Sequence, residues 1–397
     1  MKTAGQSSMQ GPRRAFLTPA RRSGGATTLG RVTESPLATK CVVIGAGQAG
    51  LSVAYYLQKL GLEAGEEFVL LDRGPGTGGA WQHRWGSMRL GSAHRVNDLP
   101  GMDELGLSFG TADRDVPAKQ VVADYYRQYE EHYNLQVVRP ATVTKVTDTG
   151  GPLLLDISTE AGIIDLLGST IVNATGTWGS PFVPWYPGLR DFAGRHLHTA
   201  QYERASDFAD QDVVVVGGGT SAIGFLLELD GVARSLTWST RRDPEFIDGP
   251  SLNLEDAVKA VGMQDDASRA GRALPSIVSG TGVPRTRRIQ SGLERGVLAS
   301  RGVIERIEPD GVRFESGEFA PAQAIIWATG FRPELRHLAP LRLREPEGGV
   351  IVSSHHSERD GRIFFAGYGP SASTIGANRA GRNIARQVVA TLSRLGR

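Results

Sequence analysis

An α/β fold with two Rossmann-like units is predicted for this 397-residue chain by three observations. The run CVVIGAGQAGLSVAYYLQKLG reads as a buried strand of β-branched residues, a glycine turn and a helix that ends at Gly61. The run QDVVVVGGGTSAIGFLLEL repeats that pattern. Each is followed by a second short apolar strand, FVLLD after the first and SLTWST after the other. A chain of this length exceeds one ordinary core and accommodates two such units.

Within the first unit, Gly45, Gly47 and Gly50 fit the spacing GxGxxG. The first glycine permits a tight turn, the second admits a pyrophosphate against the backbone, and the third lets helix and strand pack closely. The helix N-terminus then faces the phosphates with about half a positive charge. Asp72 closes the next strand near the ~20-residue offset expected of an acid that binds ribose hydroxyls. In the second unit Gly217, Gly219 and Ala222 hold the three positions, with Ser221 in the same turn, and alanine is an accepted third residue. Its second strand ends on Arg241 and Arg242 rather than an acid. A carboxylate there would repel a 2′-phosphate, whereas guanidiniums attract it and can bond it bidentately, which favours NADPH over NADH. Two such sites, one acidic and one basic, suggest an electron relay from nicotinamide to flavin.

Composition excludes several other chemistries. Forty-four basic against 42 acidic side chains leave a net charge of +2, so no sequence-wide field favours nucleic acid or anionic lipid. The one cysteine, Cys41, falls inside an apolar strand, which rules out a disulfide framework, a thiolate metal site and a CxxC redox pair. Apolar runs are broken within about ten residues, too short for a membrane span, and a cytoplasmic protein is expected. Residues 1–38, rich in Arg, Ser, Thr and Gly with one acid, Glu34, are expected to form a disordered extension. Arg13 and Arg14 echo a twin-arginine signal, but the polar stretch after them lacks its apolar core. His355 and His356 are adjacent, poorly directed towards one metal, and expected at the surface.

Several segments resemble the flavin-containing monooxygenase family. Gly78, Gly79 and Trp81 look like its GGxW element, and Phe192, Gly194, His198 and Tyr202 fit its fingerprint FxGxxxHxxxY just before the second glycine turn. Baeyer–Villiger monooxygenases end that fingerprint in Trp, so Tyr202 favours the heteroatom-oxygenating branch; Glu203 departs from the usual following Lys or Arg. IVNATG and IIWATG, ending at Gly176 and Gly330, resemble the ATG elements where the chain crosses between units. The C-terminal run from Arg362 looks like the last FAD-contacting segment, although Gly367 and Tyr368 replace a common GD pair and Thr374 is left as a candidate contact. The resemblance implies an FAD-binding domain at 39–184 and 321–397, with an NADPH-binding domain inserted at 185–320.

It also implies a reaction. NADPH reduces FAD, the reduced flavin forms a peroxyflavin with oxygen, and one oxygen atom passes to a soft nucleophile such as an amine or sulfide of a small molecule. The candidate cofactor contacts are then Gly45, Gly47, Gly50, Asp72, Gly79, Trp81, His198, Gly217, Gly219, Ser221, Arg241, Arg242 and Thr374, and Asn97 is a candidate amide donor in the pocket. His198 either touches the nicotinamide cofactor or packs between units. A flavin-dependent reductase passing electrons to a carrier, a Baeyer–Villiger enzyme and a non-enzymatic flavin protein remain open. No metal is expected, and the sequence is silent on substrate, oligomeric state and the role of residues 243–290.

Overall fold

The computed structural model describes residues 36–93, 96–248, 254–275, 282–372 and 374–396. The expected N-terminal extension therefore lies almost wholly outside the described residues, as does the side chain of Thr374. The chain runs β1 (Leu37–Ile44), α1 (Gln48–Lys59), β2 (Phe68–Leu71), α2 (Ala118–His132), β3 (Ala141–Asp148), β4 (Leu153–Thr159) and β5 (Gly162–Asn173). It continues through β6 (Arg195–His198), β7 (Asp212–Val216), α3 (Thr220–Leu229), β8 (Ser235–Ser239), β9 (Phe246–Ile247), α4 (Leu254–Arg269), β10 (Val283–Pro284) and α5 (Arg287–Glu294). The rest is β11 (Ile304–Glu308), β12 (Gly311–Phe314), β13 (Phe319–Pro321), β14 (Ala324–Trp327), β15 (Val352–Ser353), β16 (His356–Ser357), β17 (Ile363–Phe365) and α6 (Thr374–Leu395).

Two sheets organise these elements. The first has the order β15-β16-β17-β5-β1-β2, with β3 and β4 joined through β5. Its centre, β17-β5-β1-β2, is parallel, and β2 and the second half of β1, Cys41–Ile44, are buried, as a parallel sheet covered on both faces requires. The second sheet is parallel throughout, in the order β6-β14-β7-β8. Strand β14, from the segment that follows β13, is central to this sheet between β6 and β7. The α/β class with two parallel-sheet units is as predicted.

The two units close in the same way. In the first, the Gly45 N–H donates to the Leu71 carbonyl of β2 and the Ala174 N–H donates to Ile44 of β1. In the second, the Gly217 N–H donates to Ser239 of β8 and the Ala328 N–H donates to Val216 of β7. Gly45 and Gly217 have φ of +110° and +133°, and a Cβ on them would lie 2.4 Å and 2.2 Å from the Ala174 and Ala328 carbonyl oxygens. Only glycine fits both the conformation and the space. These two alanines are the first residues of the ATG segments, so each ATG strand abuts the glycine turn of its own unit.

Residues 243–290 divide. β9 and β10 pair with each other, while α4 packs against β15 and Gly369–Ser371 of the first unit. A Cβ on Gly369 would lie 3.0 Å from that of Ser268 on α4. His355 and His356 are half-buried rather than at the surface. Ser354 and His355, both at positive φ, form the tight turn between β15 and β16, and His356 packs on Phe364. Adjacent histidines suggested a surface position; the pairing that partly buries them comes from the distant strand β17.

The turn geometry separates two glycines in a measurable way. A Cβ on Gly50 would lie 1.8 Å from the Gly45 carbonyl, whereas one on Gly219 meets nothing within 4 Å. Gly50→Ala is expected to lower the unfolding free energy by about 1–3 kcal/mol. Gly219→Ala, in unstrained backbone at φ −93°, is expected to stay within about 0.5 kcal/mol. Urea denaturation of both variants checks this, and equal losses would contradict it.

Candidate functional site

At the carboxyl ends of β1 and β2 lies a cavity of about 360 Å³, lined among others by Gly45, Asp72, Arg73, Thr144, Thr175 and Glu334. This is where ligands bind in open parallel sheets. Asp72 is buried, its Oδ1 accepts the Gly74 N–H at 3.0 Å, and its Oδ2 is 3.5 Å from Arg139, which also grips Glu130 bidentately. The second carboxylate oxygen thus keeps acceptor capacity towards the cavity. Neither α1 nor α3 has a capping side chain or an acid in its first turn; each starts on glycine, Gly47 or Gly219. Gly47 faces the GGxW element: a Cβ on Gly79 would lie 2.7 Å from the Gly47 Cα. The residues fit a dinucleotide at each turn: the first glycine is fixed by its neighbouring strand, and a Cβ on the second would fill open or loosely packed space at a helix N-terminus.

Three residues of the cavity wall were not foreseen. Glu334 is buried with Arg336 and Ser180 on its carboxylate and Arg73 at 3.6 Å. Burial opposes its charge, but Arg336 and Ser180 outweigh that and hold its carboxyl down to about 2. His337 is buried, its Nε2–H donates to Asn173 Oδ1 at 2.8 Å, and burial pushes its pKa down to about 4. All three stand four to seven residues past Gly330, where the ATG segment turns back to the first unit. That offset was the available signal.

The fingerprint acts as a joint. The Phe192 ring sits where a Cβ on Gly194 would be, 2.6 Å away, and the chain then enters β6 beside β14. His198 ends that strand fully engaged within the protein: Nδ1 accepts the Ala200 N–H at 3.2 Å and Nε2–H donates to the Gly330 carbonyl at 2.9 Å. Its pKa is lowered by burial, against the pull of the Gly330 bond. Both nitrogens are thus engaged within the protein, and the ring edge meets Phe331 beside Gly330. Tyr202 donates to Glu228 Oε2 of α3 at 3.2 Å; Ser87 donates to the same oxygen at 2.9 Å and Trp85 Nε1 to Oε1 at 3.0 Å. One carboxylate of the second unit is therefore held by the fingerprint tyrosine and by the stretch that follows GGxW.

The remaining candidates are placed as follows. Trp81 is buried in the 3₁₀ turn Gly79–His83. Asn97 is half-buried and its backbone carbonyl accepts from Gln48 Nε2, a side chain that also binds Asn378 of α6. Ser221 is half-buried in the first turn of α3. Arg241 and Arg242 are exposed just beyond β8, and neither joins an ion pair among the described residues. Cys41 is buried in β1, where burial pushes the thiol up to about 12 against a bond from Thr170. Among the described residues no cluster of metal-ligating side chains occurs and no helix is long and apolar enough to cross a membrane.

Comparison with known proteins accounts for this arrangement. Residues 42–261, more than half of the chain, match the pyridine nucleotide-disulphide oxidoreductase family. The structure of a flavin-containing monooxygenase from Stenotrophomonas maltophilia is 32% identical, with a TM-score of 0.74 over 89% of this chain and 99% of that one. The chain belongs to the pyridine nucleotide-disulphide oxidoreductase family and, within it, to the flavin-containing monooxygenases. It is a flavin-dependent oxidoreductase of the monooxygenase type. Curated relatives include the uncharacterized oxidoreductase CzcO of Bacillus velezensis, 32% identical over 47% of this chain and 51% of that protein. The probable indole-3-pyruvate monooxygenase YUCCA4 of Arabidopsis thaliana is 31% identical over 47% of this chain and 43% of its own length. The matched stretches thus span about half of these two relatives.

His337 makes stability depend on pH. Above pH 6.5 the ring is neutral in both folded and unfolded chains; between 6.5 and about 4 only the unfolded chain takes up the proton. Stability should fall through that window by up to about 3 kcal/mol from this residue. His337→Gln, which can still donate to Asn173, should flatten the fall. Denaturant midpoints at pH 7 and pH 4.5 test it, and an unchanged slope in the variant would refute the assignment.

Proposed function

We propose that the protein is an FAD- and NADPH-dependent monooxygenase that uses dioxygen to oxygenate a soft nucleophile, an amine or sulfide, of a small molecule. The observation that carries this reading is the likeness along nearly the whole of a flavin-containing monooxygenase in a chain whose single thiol is sealed in β1. Dithiol chemistry, which the broader family's name evokes, has no residues here to perform it.

The residues divide the work. Asp72 and the turn Gly45–Gly50 would hold the adenosine and pyrophosphate of FAD, with Gly79 packed over Gly47 to close the cradle. Gly217 and Gly219 at α3, with Ser221, would hold the nicotinamide nucleotide, and Arg241 and Arg242 would receive its 2′-phosphate. When bound, the flavin supplies hydride acceptance and oxygen activation. The chain's part is to orient the two nucleotides and exclude water. In this reading 39–184 and the segment after β14 form the FAD unit and the stretch between them the nicotinamide unit, which the separate sheets β17-β5-β1-β2 and β6-β14-β7-β8 support. Asn97, anchored through its backbone to Gln48 at the start of α1, stays a candidate amide donor beside the flavin.

The Arg241→Ala/Arg242→Ala double variant is expected to raise KM for NADPH at least about tenfold while leaving that for NADH within about twofold; parallel changes would sink the assignment. The oxygenase reading is tested by reducing the flavin-loaded protein anaerobically with NADPH and mixing it rapidly with oxygen. A transient flavin absorbance distinct from both reduced and oxidised cofactor is expected. Direct return to oxidised flavin would favour the alternative, an NAD(P)H-dependent flavoprotein reductase.

A further inference from the structure

We propose that Arg84 is the receiving group for an oxyanion that binds where the two nucleotide units meet, either a phosphate of the nicotinamide nucleotide or a carboxylate of the substrate. Arg84 follows the 3₁₀ turn Gly79–His83, and its guanidinium lies over two indole rings, 5.6 Å from the centroid of Trp81 and 4.9 Å from that of Trp178. It is half-buried, and its Nε is buried without a hydrogen-bond partner. Among the described residues no carboxylate or carbonyl accepts from it. The other half-buried arginines differ: Arg139 holds Glu130, Arg313 holds Glu308, and Arg362 holds Asp360. Burial alone, with no opposing charge, lowers the Arg84 pKa to about 10.

The surroundings say where the missing counter-charge would come from. Trp178 stands two residues past Gly176 and stacks on Phe331, which follows Gly330; Phe331 in turn meets the edge of His198. His83 stacks on Trp178 at 5.7 Å. The guanidinium thus sits among the GGxW element and both ATG exits, at the carboxyl ends of the two sheets, where bound nucleotides and substrate converge. Two aromatic faces hold its plane without consuming its N–H donors. A planar fork presented this way matches phosphate or carboxylate. Only the identity of the anion rests on the function proposed above.

The test uses flavin-loaded protein as wild type, Arg84→Met and Arg84→Lys, titrated with NADP+, inorganic pyrophosphate and phenylacetate. Tryptophan fluorescence reports through Trp81 and Trp178, and melting temperature reports independently. At least one anion is expected to give a saturable response in wild type, with half-saturation raised at least tenfold in Arg84→Met and less in Arg84→Lys. Loss of the NADP+ and pyrophosphate responses assigns the nucleotide phosphate; loss of the phenylacetate response alone assigns the substrate carboxylate. If Arg84→Met does not fold with flavin, the Lys variant carries the comparison, since it keeps charge but not the fork. Unchanged half-saturation for all three anions in a flavin-retaining variant overturns the proposal and leaves Arg84 a brace between indoles. Failure of NADPH to reduce the flavin, measured separately, would sink the proposed function without touching this result.

Discussion

The contact between each glycine turn and the ATG strand beside it governs the rest of the molecule. Gly45 against Ala174 and Gly217 against Ala328 set how far each central strand extends before the chain must turn, and so where each helix begins. The same alanines mark where the chain leaves its sheet. Thr175 donates to the Glu334 carbonyl and Thr329 to that of Phe182, so both exits are pinned by the residue after the contact. The cavity wall, the aromatic stack and the crossing segments inherit their positions from these two points. A methyl group on either glycine would disturb all of them together.

Between the units the structure relies on neutral donors and ring contacts more than on ion pairs. Glu228 accepts from an indole, an alcohol and a phenol, none of which changes charge in the physiological range. Burial pushes Tyr202 well above the ordinary phenol range, with Glu228 adding to the effect, so its proton stays in place. Such a joint is indifferent to salt in a way that an exposed lysine–glutamate pair is not. His198 serves similarly, as a neutral ring bonded at both nitrogens.

Much of this was legible in the sequence, and what was not has identifiable causes. Both glycine turns, Asp72 and the ATG strands announce themselves because close backbone approach and a parallel sheet leave few permissible residues. The fingerprint was legible as a pattern, with packing between units among the roles open to His198, but nothing in its spacing reveals that Tyr202 reaches α3 or that His198 bonds the Gly330 carbonyl. Glu334 and His337 were missed because their environment is made by the return of a distant segment. The position of α4 against the first unit, and the place of β14 between β6 and β7, depend on long-range pairing that local periodicity does not encode.

Sealing Cys41 in the centre of β1 has a practical side. Its thiol is fully buried and its proton is held tightly, so alkylating reagents and oxidants find no thiolate on the folded protein. Any cysteine introduced on the surface would then be the single reactive sulfhydryl. Spin labels or fluorophore pairs could be placed on the two units without first stripping the native chain, and their separation followed as the nucleotides come and go.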